Sequence, residues 1–388
     1  MRVNQLTDET LRSLSDVEAD EPVVVSVFLA LDPAEVATPP ARESRINSVL
    51  NELDALIRDA DLSDDARAEL SADRERIEAF LRNDLDVSEA GAIAIYSAQA
   101  LDFFQAIKLA DAVESGVRID LRPILEPLIG HEDEGDWCVL LVTRDTARVF
   151  RGGPTGIREI GDVNSDVKNQ HQAGGWSQAR FERSVQQEVE WHLEAVTDQL
   201  FRYSKRRPFE HLVIGANHGS LRPALSDETH SYLLEKVRGW VDIDEGVASE
   251  EQVFEAVRQV MDDFLIGEER ALLERLQAGL ATGGAAAAGL EDVLAALVEQ
   301  RVETLVVKED AEARGTKCVT CGWLGTASHT SCPVDETALD QLDNIVEPAI
   351  QAAIQQSASV HVLRSADDPD VAAAEAPFDE PVAAVLRF

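Results

Sequence analysis

The run Pro22-Val23-Val24-Val25-Ser26-Val27-Phe28-Leu29-Ala30-Leu31 constrains this chain more than any other stretch. Only Ser26 interrupts it, so the alternation of a half-exposed strand is missing. A strand of this kind is buried on both faces and needs other elements to cover it. The residues that follow supply them. Pro39 and Pro40 precede 42–60, where Ile46, Leu50, Leu53, Leu56 and Ile57 recur at helical spacing. A second helix is predicted over 63–82, opened by Ser63 as N-cap with Asp64 and Asp65 in its first turn. A short helix near 7–13 comes before the run, and 92–97 and 103–107 read as further strands. The leading segment, 1–134, is therefore a mixed αβ domain. Its many carboxylates lie on helix faces whose other side is apolar, as solvated residues do, and no pair stands out for acid–base chemistry. Recognition is expected of it rather than catalysis.

The alternation of strands and helices recurs twice more. In the central segment, 135–268, a strand over 137–142 is followed by a break at 143–146, a hairpin partner over 147–151 and a turn at Gly152-Gly153-Pro154. A long helix is predicted from 177 to 203, with Phe181, Val185, Val189, His192, Val196 and Leu200 as its apolar stripe. A strand over 211–219 and helices around 230–240 and 250–265 complete this domain. In the closing segment, 269–388, small residues at 278–290 lead to a helix at 291–299, a strand at 302–307, a helix at 342–357 and strands at 360–363 and 382–387. The fold class is α/β in three domains. Cys138, alone in an apolar strand, reads as a small buried hydrophobe, and His192 as a histidine at the core edge.

Charge limits the partners. The chain carries 73 acidic and 35 basic residues, a formal net charge of -38, and six of the basic residues are lysine. Such a surface repels nucleic acid and anionic membranes at long range, so neither DNA nor a membrane is expected as a partner. Salt screens that repulsion, so RNA stays open, and a lysine-poor acidic surface suits a salt-rich cytoplasm. No stretch approaches the ~18 apolar residues of a membrane span, and no apolar signal core follows Met1. Four cysteines in 388 residues make no secreted disulfide framework, so a cytoplasmic location is expected.

Against this background, one stretch is unusual. Between Lys168 and Arg207 seven basic residues (Lys168, Arg180, Arg183, Arg202, Lys205, Arg206, Arg207) face five acidic ones. The stretch holds the polar loop Asn169-Gln170-His171-Gln172-Ala173-Gly174-Gly175-Trp176-Ser177-Gln178, which runs directly into the long helix. Paired glycines allow close backbone approach, and free N–H groups at a helix start suit an anion. An ordinary loop with Ser177 as N-cap is the plain alternative. Lys205, Arg206 and Arg207 either hold phosphates or cap a helix C-terminus, where the dipole favours cations.

A second cluster lies at 316–336. Cys318-Val319-Thr320-Cys321-Gly322, then His329, then Cys332-Pro333-Val334-Asp335 looks like the two knuckles of a zinc ribbon, with Asp335 where a fourth thiolate is usual. Cys318, Cys321 and Cys332, completed by His329 or Asp335, are candidate ligands for a structural zinc; a degenerate, metal-free remnant is the alternative. Neither thioredoxin-like redox chemistry nor a catalytic zinc fits the spacing.

Taken together, the Gly174-Gly175-Trp176-Ser177-Gln178-Ala179-Arg180-Phe181 stretch, Arg301-Val302-Glu303-Thr304-Leu305-Val306 and the Cys318 to Asp335 insertion resemble the archaeo-eukaryotic class I release factor superfamily. This superfamily includes Pelota, and the resemblance is closest to its bacterial and archaeal branch related to Vms/Ankzf-type peptidyl-tRNA hydrolases. The resemblance covers essentially the whole chain. It implies a ribonuclease-H-like central domain and a closing domain like the kink-turn-binding proteins. It implies the large ribosomal subunit and tRNA as partners, with Gln178 at the catalytic position and Gly174, Gly175 and Ser177 shaping the loop. Arg180, Arg183 and Lys205 to Arg207 would hold RNA. Trp176 is inserted relative to the Gly-Gly-Gln of release factors, which speaks against termination at stop codons, and no codon-reading motif is found. The expected activity is peptidyl-tRNA hydrolysis or cleavage near the tRNA end in ribosome rescue. A non-catalytic ribosome- or RNA-binding stress factor of the same fold is the alternative, and a metal-dependent nuclease of other RNAs is a third reading.

Overall fold

The computed structural model describes residues 3–31, 38–60, 62–85, 91–109, 113–131, 137–154, 156–164, 178–216, 221–243, 248–309, 311–363 and 381–388. The chain forms two compact units, Met1–Glu132 with Ile266–Phe388, and Asp133–Leu265.

The first unit begins with strands β1 (Val3–Gln5), β2 (Val24–Ala30), β3 (Ala92–Ala98), β4 (Phe103–Leu109) and β5 (Gly116–Asp120), in the order β1-β4-β3-β2-β5. β2 runs antiparallel between β3 and β5, and both its faces are buried as its composition requires. Val25, Val27 and Leu29 pack against Leu50, Leu53, Leu70, Ile77 and Phe80 of helices Pro39–Asp59 and Asp64–Asn83. Phe28 faces the opposite core with Leu11, Leu14 and Tyr96. Helix Asp64–Asn83 starts where predicted, with the Ser63 hydroxyl accepting from Ala66 N at 3.1 Å. Sequence patterning does not announce β1 and β5; both are short strands on the sheet edges.

The second unit holds β6 (Trp137–Val142), β7 (Thr146–Gly153), β8 (Gly156–Asn164), β9 (His211–Ala216) and β10 (Val237–Val241), in the order β10-β9-β6-β7-β8. The β6-β7-β8 meander is antiparallel, whereas β9 and β10 add in parallel to β6. This is the ribonuclease-H-like layout expected for the central domain. Helix Gln178–Arg206 covers one face: Leu193, Val196 and Leu200 pack on Cys138, Leu140 and Val149. Val253, Val257 and Met261 of helix Glu250–Thr282 cover the other, against Val139 and Leu141.

Two predictions here need correcting. The helix expected around 230–240 is instead a four-residue turn of helix, Ser231–Leu234, followed by β10, with helix Leu221–Glu228 before them. Gly239 lets helix Glu250–Thr282 approach β10, because a Cβ there would lie 2.5 Å from Val260 Cγ1. That helix also runs on to Thr282 rather than stopping near 265. Of the small residues at 278–290, 278–282 form its last turn, Gly283 follows with φ +69°, and Ala286–Ala288 form a short strand.

The closing segment contributes β11 (Ala286–Ala288), β12 (Val302–Lys308), β13 (Gly315–Lys317), β14 (Leu324–Thr326), β15 (Asp340–Leu342), β16 (Ser359–Leu363) and β17 (Val382–Leu386). Four of them form a sheet, β11-β17-β12-β16. Helices Leu290–Val298 and Val346–Gln355 lie on one face, and Leu273 and Leu276 pack against Val306, Ala383 and Val385 on the other. The result is the αβα sandwich expected. The helix predicted over 342–357 starts only at Val346, because 340–342 pair as β15. The small antiparallel sheet β14-β13-β15 carries the cysteine-rich insertion.

Candidate functional site

Helix Gln178–Arg206 is the axis of the candidate RNA-facing site. Gly174, Gly175 and Ser177 lie outside the described residues. Gln178 is the helix's first residue, and Arg180 and Arg183 stand in its first two turns; the side chains of these three also lie outside the described residues. His192 is buried, as its place beside the stripe predicts. Burial holds its pKa below the ordinary histidine value against a hydrogen bond with the Thr146 backbone. Cys138 is fully buried and burial pushes its thiol up to about 12, as fits the small buried hydrophobe expected of it.

The helix also separates residues that are close in sequence. From Gln178 to Arg206 is 28 steps, or about 42 Å at 1.5 Å per residue. The basic stretch is therefore two groups, one at each end of the helix. Between them, Trp191 is 61% exposed beside a groove of about 830 Å³. Val149 and Ile160 of the sheet line the groove, together with Glu194, Asp198 and Arg202 of the helix. The groove is hidden from sequence reading because β8, which forms one wall, carries no strand signature.

At the far end, Lys205, Arg206 and Arg207 are exposed. Lys205 Nζ lies 4.3 Å from the Tyr232 ring centre and 5.0 Å from that of Phe201, and Lys236 Nζ lies 4.8 Å from Tyr232. Arg151 donates to the carbonyls of Arg207 and Pro208 at 3.1 and 3.0 Å. Arg238 donates to the Glu210 carbonyl and to His211 Nδ1, at 3.2 and 3.0 Å. His211 is pushed down to about 4, by burial first and then by Arg238.

The second site is the insertion. Cys318, Cys321, Cys332 and Asp335 bring one ligand atom each to within 4.8 Å of one another and could hold a metal ion. Two tight turns place them. Gly322 N donates to the Cys318 carbonyl at 2.9 Å, with Gly322 at φ +75°, and Glu336 N donates to the Cys332 carbonyl at 3.0 Å, with Glu336 at φ +60°. Cys321 N and Val334 N point at the sulfurs of Cys318 and Cys332, each at 3.4 Å, as backbone donors do around bound thiolates. Cys321 and Cys332 sulfurs are 3.5 Å apart, and three thiols with one carboxylate suit a tetrahedral ion with ~2.3 Å bonds to sulfur. The Thr337 hydroxyl beside Cys318 holds that thiol down at about 7, and the same hydroxyl holds Asp335 below the usual carboxylate range. Between the two candidates for fourth ligand, Asp335 joins the group. His329 does not: its ring sits edge-on to Trp323, centres 5.0 Å apart, with Nδ1 3.3 Å from the Thr326 carbonyl.

Comparison with known families matches the central segment. Residues 123–261 match the model of the bacterial archaeo-eukaryotic release factor family 10. Peptide chain release factor subunit 1 of Methanopyrus kandleri is 28% identical over 219 residues, covering 53% of this chain and 52% of the relative. That of Methanocaldococcus jannaschii is 27% identical over 221 residues, with the same coverage. The chain thus spans about half the length of the curated relatives it matches. Among solved structures, Archaeoglobus fulgidus Pelota aligns over 99% of this chain and 93% of its own, at 12% identity and a TM-score of 0.35. Dom34 of S. cerevisiae aligns over 76% and 80%, at 10% identity and a TM-score of 0.42. Over its central unit the chain is thus similar to the archaeo-eukaryotic release factor superfamily, by the family model and by the archaeal factors.

Proposed function

We propose that this protein is a cytoplasmic, ribosome-associated factor that releases nascent chains in ribosome rescue, by hydrolysing peptidyl-tRNA or by cleaving near the tRNA 3′ end. One observation carries the reading. The Gly174-Gly175-Trp176-Ser177-Gln178 stretch enters a long helix at Gln178, inside the segment that matches a release-factor family. The names of the archaeal relatives, peptide chain release factor subunits, support it. Glutamine is no base at neutral pH, but its amide can orient a water or a 2′-hydroxyl. Unpaired N–H groups at the helix start can then stabilise developing negative charge. Gly174, Gly175 and Ser177 shape the loop, and Arg180 and Arg183 hold phosphates beside it. The large subunit and tRNA supply the rest of the site.

The test is Gln178→Ala on purified ribosome–nascent-chain complexes. Wild type is expected to discharge the peptidyl-tRNA, and the variant to do so slower by on the order of a hundredfold, the scale of losing one positioned polar group. If wild type leaves both the ester and the tRNA end intact, the enzyme reading fails. What then stands is a non-catalytic RNA-binding factor, a reading that Trp176, inserted between Gly175 and Ser177, favours.

The insertion is proposed to hold a structural zinc through Cys318, Cys321, Cys332 and Asp335. The ion would supply a cross-link between the two turns and no step of the reaction. About one zinc per chain is expected in purified protein, and a sub-stoichiometric content would sink the assignment.

A further inference from the structure

The C-terminal end of helix Gln178–Arg206 carries a charge excess that helix capping does not explain. A helix dipole accounts for Lys205 and Arg206, which stand in the last turn. It does not account for Arg151 from β7, Lys236 after helix Ser231–Leu234, or Arg238 from β10, all gathered around the same turn. These groups are linked by contact: Arg151 to the carbonyls of Arg207 and Pro208, Lys205 and Lys236 to the Tyr232 ring, Arg238 to the Glu210 carbonyl. Glu210 is taken up by Lys236 at 2.7 Å. Among the described residues, Lys205, Arg206 and Arg207 form no ion pair with a carboxylate, in a chain with 73 acidic residues. The neighbouring His211 is held down at about 4, first by burial and then by Arg238, with Glu210 working against them.

The patch also has a flat face. The exposed His230 ring stacks on Phe201, centres 4.3 Å apart and 20° between planes. Its Nδ1 accepts from Tyr232 N at 3.1 Å, which fixes the ring in place. A peptide whose anionic groups are carboxylates alone, such as polyglutamate, would meet the cations but lays no flat group on that ring. A ribonucleotide strand brings phosphates and a flat base together.

We propose that Lys205, Arg206 and Arg207 with the His230–Phe201 stack form an RNA-docking site, about 42 Å along the helix from Gln178, that grips the backbone and stacks an unpaired base. The site works in affinity, not in chemistry. It rests on the reading that the protein's partner is RNA, but not on any cleavage.

The experiment is fluorescence anisotropy of the full chain with a labelled RNA hairpin bearing a single-stranded loop, over a potassium chloride series. Wild type is expected to bind with log affinity falling against log salt. Lys205→Gln/Arg206→Gln/Arg207→Gln is expected to lose at least tenfold in affinity. Its salt slope should flatten by about 2–3, at ~0.9 for each phosphate no longer neutralised. The matched-charge variant Arg58→Gln/Arg258→Gln/Arg314→Gln, which alters exposed arginines elsewhere, should bind as wild type. His230→Asn keeps an acceptor at the helix cap but removes the ring, and should cost roughly tenfold, the scale of one base–aromatic stack. Equal loss in the patch variant and the matched-charge variant overturns the proposal, as does equal binding of polyglutamate and RNA. If the patch variant binds RNA normally while Gln178→Ala still blocks release on ribosomes, the docking site falls and the release reading stands.

Discussion

Asp73 sits on the apolar side of helix Asp64–Asn83, in phase with Leu70, Ile77 and Phe80, and is fully buried there. Its carboxylate accepts from the Ser97 hydroxyl at 2.5 Å and from Gln99 N at 2.9 Å, which ties the helix to the end of β3. Burial raises its pKa, and the two donated hydrogen bonds work against that. Such a carboxylate is structural, since each of its oxygens already accepts a hydrogen bond from the protein's own core. Asp73→Ala would leave the buried Ser97 hydroxyl without its partner and the Gln99 N–H without its acceptor at the edge of the core, and should lower stability by roughly 2–4 kcal/mol. A denaturant midpoint unchanged from wild type would show that the two donors are satisfied some other way. Asp73 is legible in principle: it falls at the helical spacing of the buried residues, although its chemistry suggests solvent.

At the scale of elements, the sequence speaks clearly wherever apolar residues form long periodic or unbroken runs. β2, β6 and the helices on their faces are such runs, and their positions follow the prediction, except that helix Glu250–Thr282 runs past its predicted end near 265. It misleads where a strand is short and mixed. β10, Val237-Arg238-Gly239-Trp240-Val241, follows Tyr232-Leu233-Leu234, and together they look helical; pairing with β9 decides the matter. β8 contains three charged residues and two glycines, so nothing in its composition announces a strand. The metal cluster is legible because all its ligands fall within one short insertion, and only geometry chooses Asp335 over His329. The basic patch is legible only in part, since Arg151 and Arg238 reach it from distant strands. If the cluster holds the metal proposed for it, the small sheet β14-β13-β15 should depend on that ion, because little apolar surface other than Leu324 is buried within it. Chelation at neutral pH is expected to abolish amide-exchange protection at Gly315–Lys317 and Leu324–Thr326 while β12 and β17 stay protected. Protection that survives full removal of the metal would show that the hairpins fold without it.

At the scale of the molecule, the leading and closing segments share one core: Leu11, Leu14 and Tyr96 belong to the same cluster as Val293, Leu294 and Ile350. Polar contacts reinforce the seam. Gln351 Nε2 donates to the Pro123 carbonyl at 2.9 Å, and Gln355 Nε2 to that of Ser15 at 2.7 Å. At its centre the Glu347 carboxylate accepts from Leu125 N at 2.9 Å and Glu126 N at 3.1 Å. Burial pushes Glu347 up to about 7, although these N–H groups and the Gln351 amide favour its charged form. The sign of the consequence follows from proton binding. Between the unfolded pKa, near 4.5, and about 7 the folded protein holds a proton that the unfolded chain has lost. The contribution of this group is therefore complete below pH 4.5 and is lost as pH rises through 7, by on the order of 1–3 kcal/mol. Stability measured by denaturant midpoint across this window should fall less steeply in Glu347→Gln than in wild type, since the amide cannot titrate. Parallel curves would show that Glu347 stays ionised at the seam, held by its backbone donors. The other carboxylates titrate alike in both proteins, so the difference between the curves isolates this one group in a chain of 73 acids.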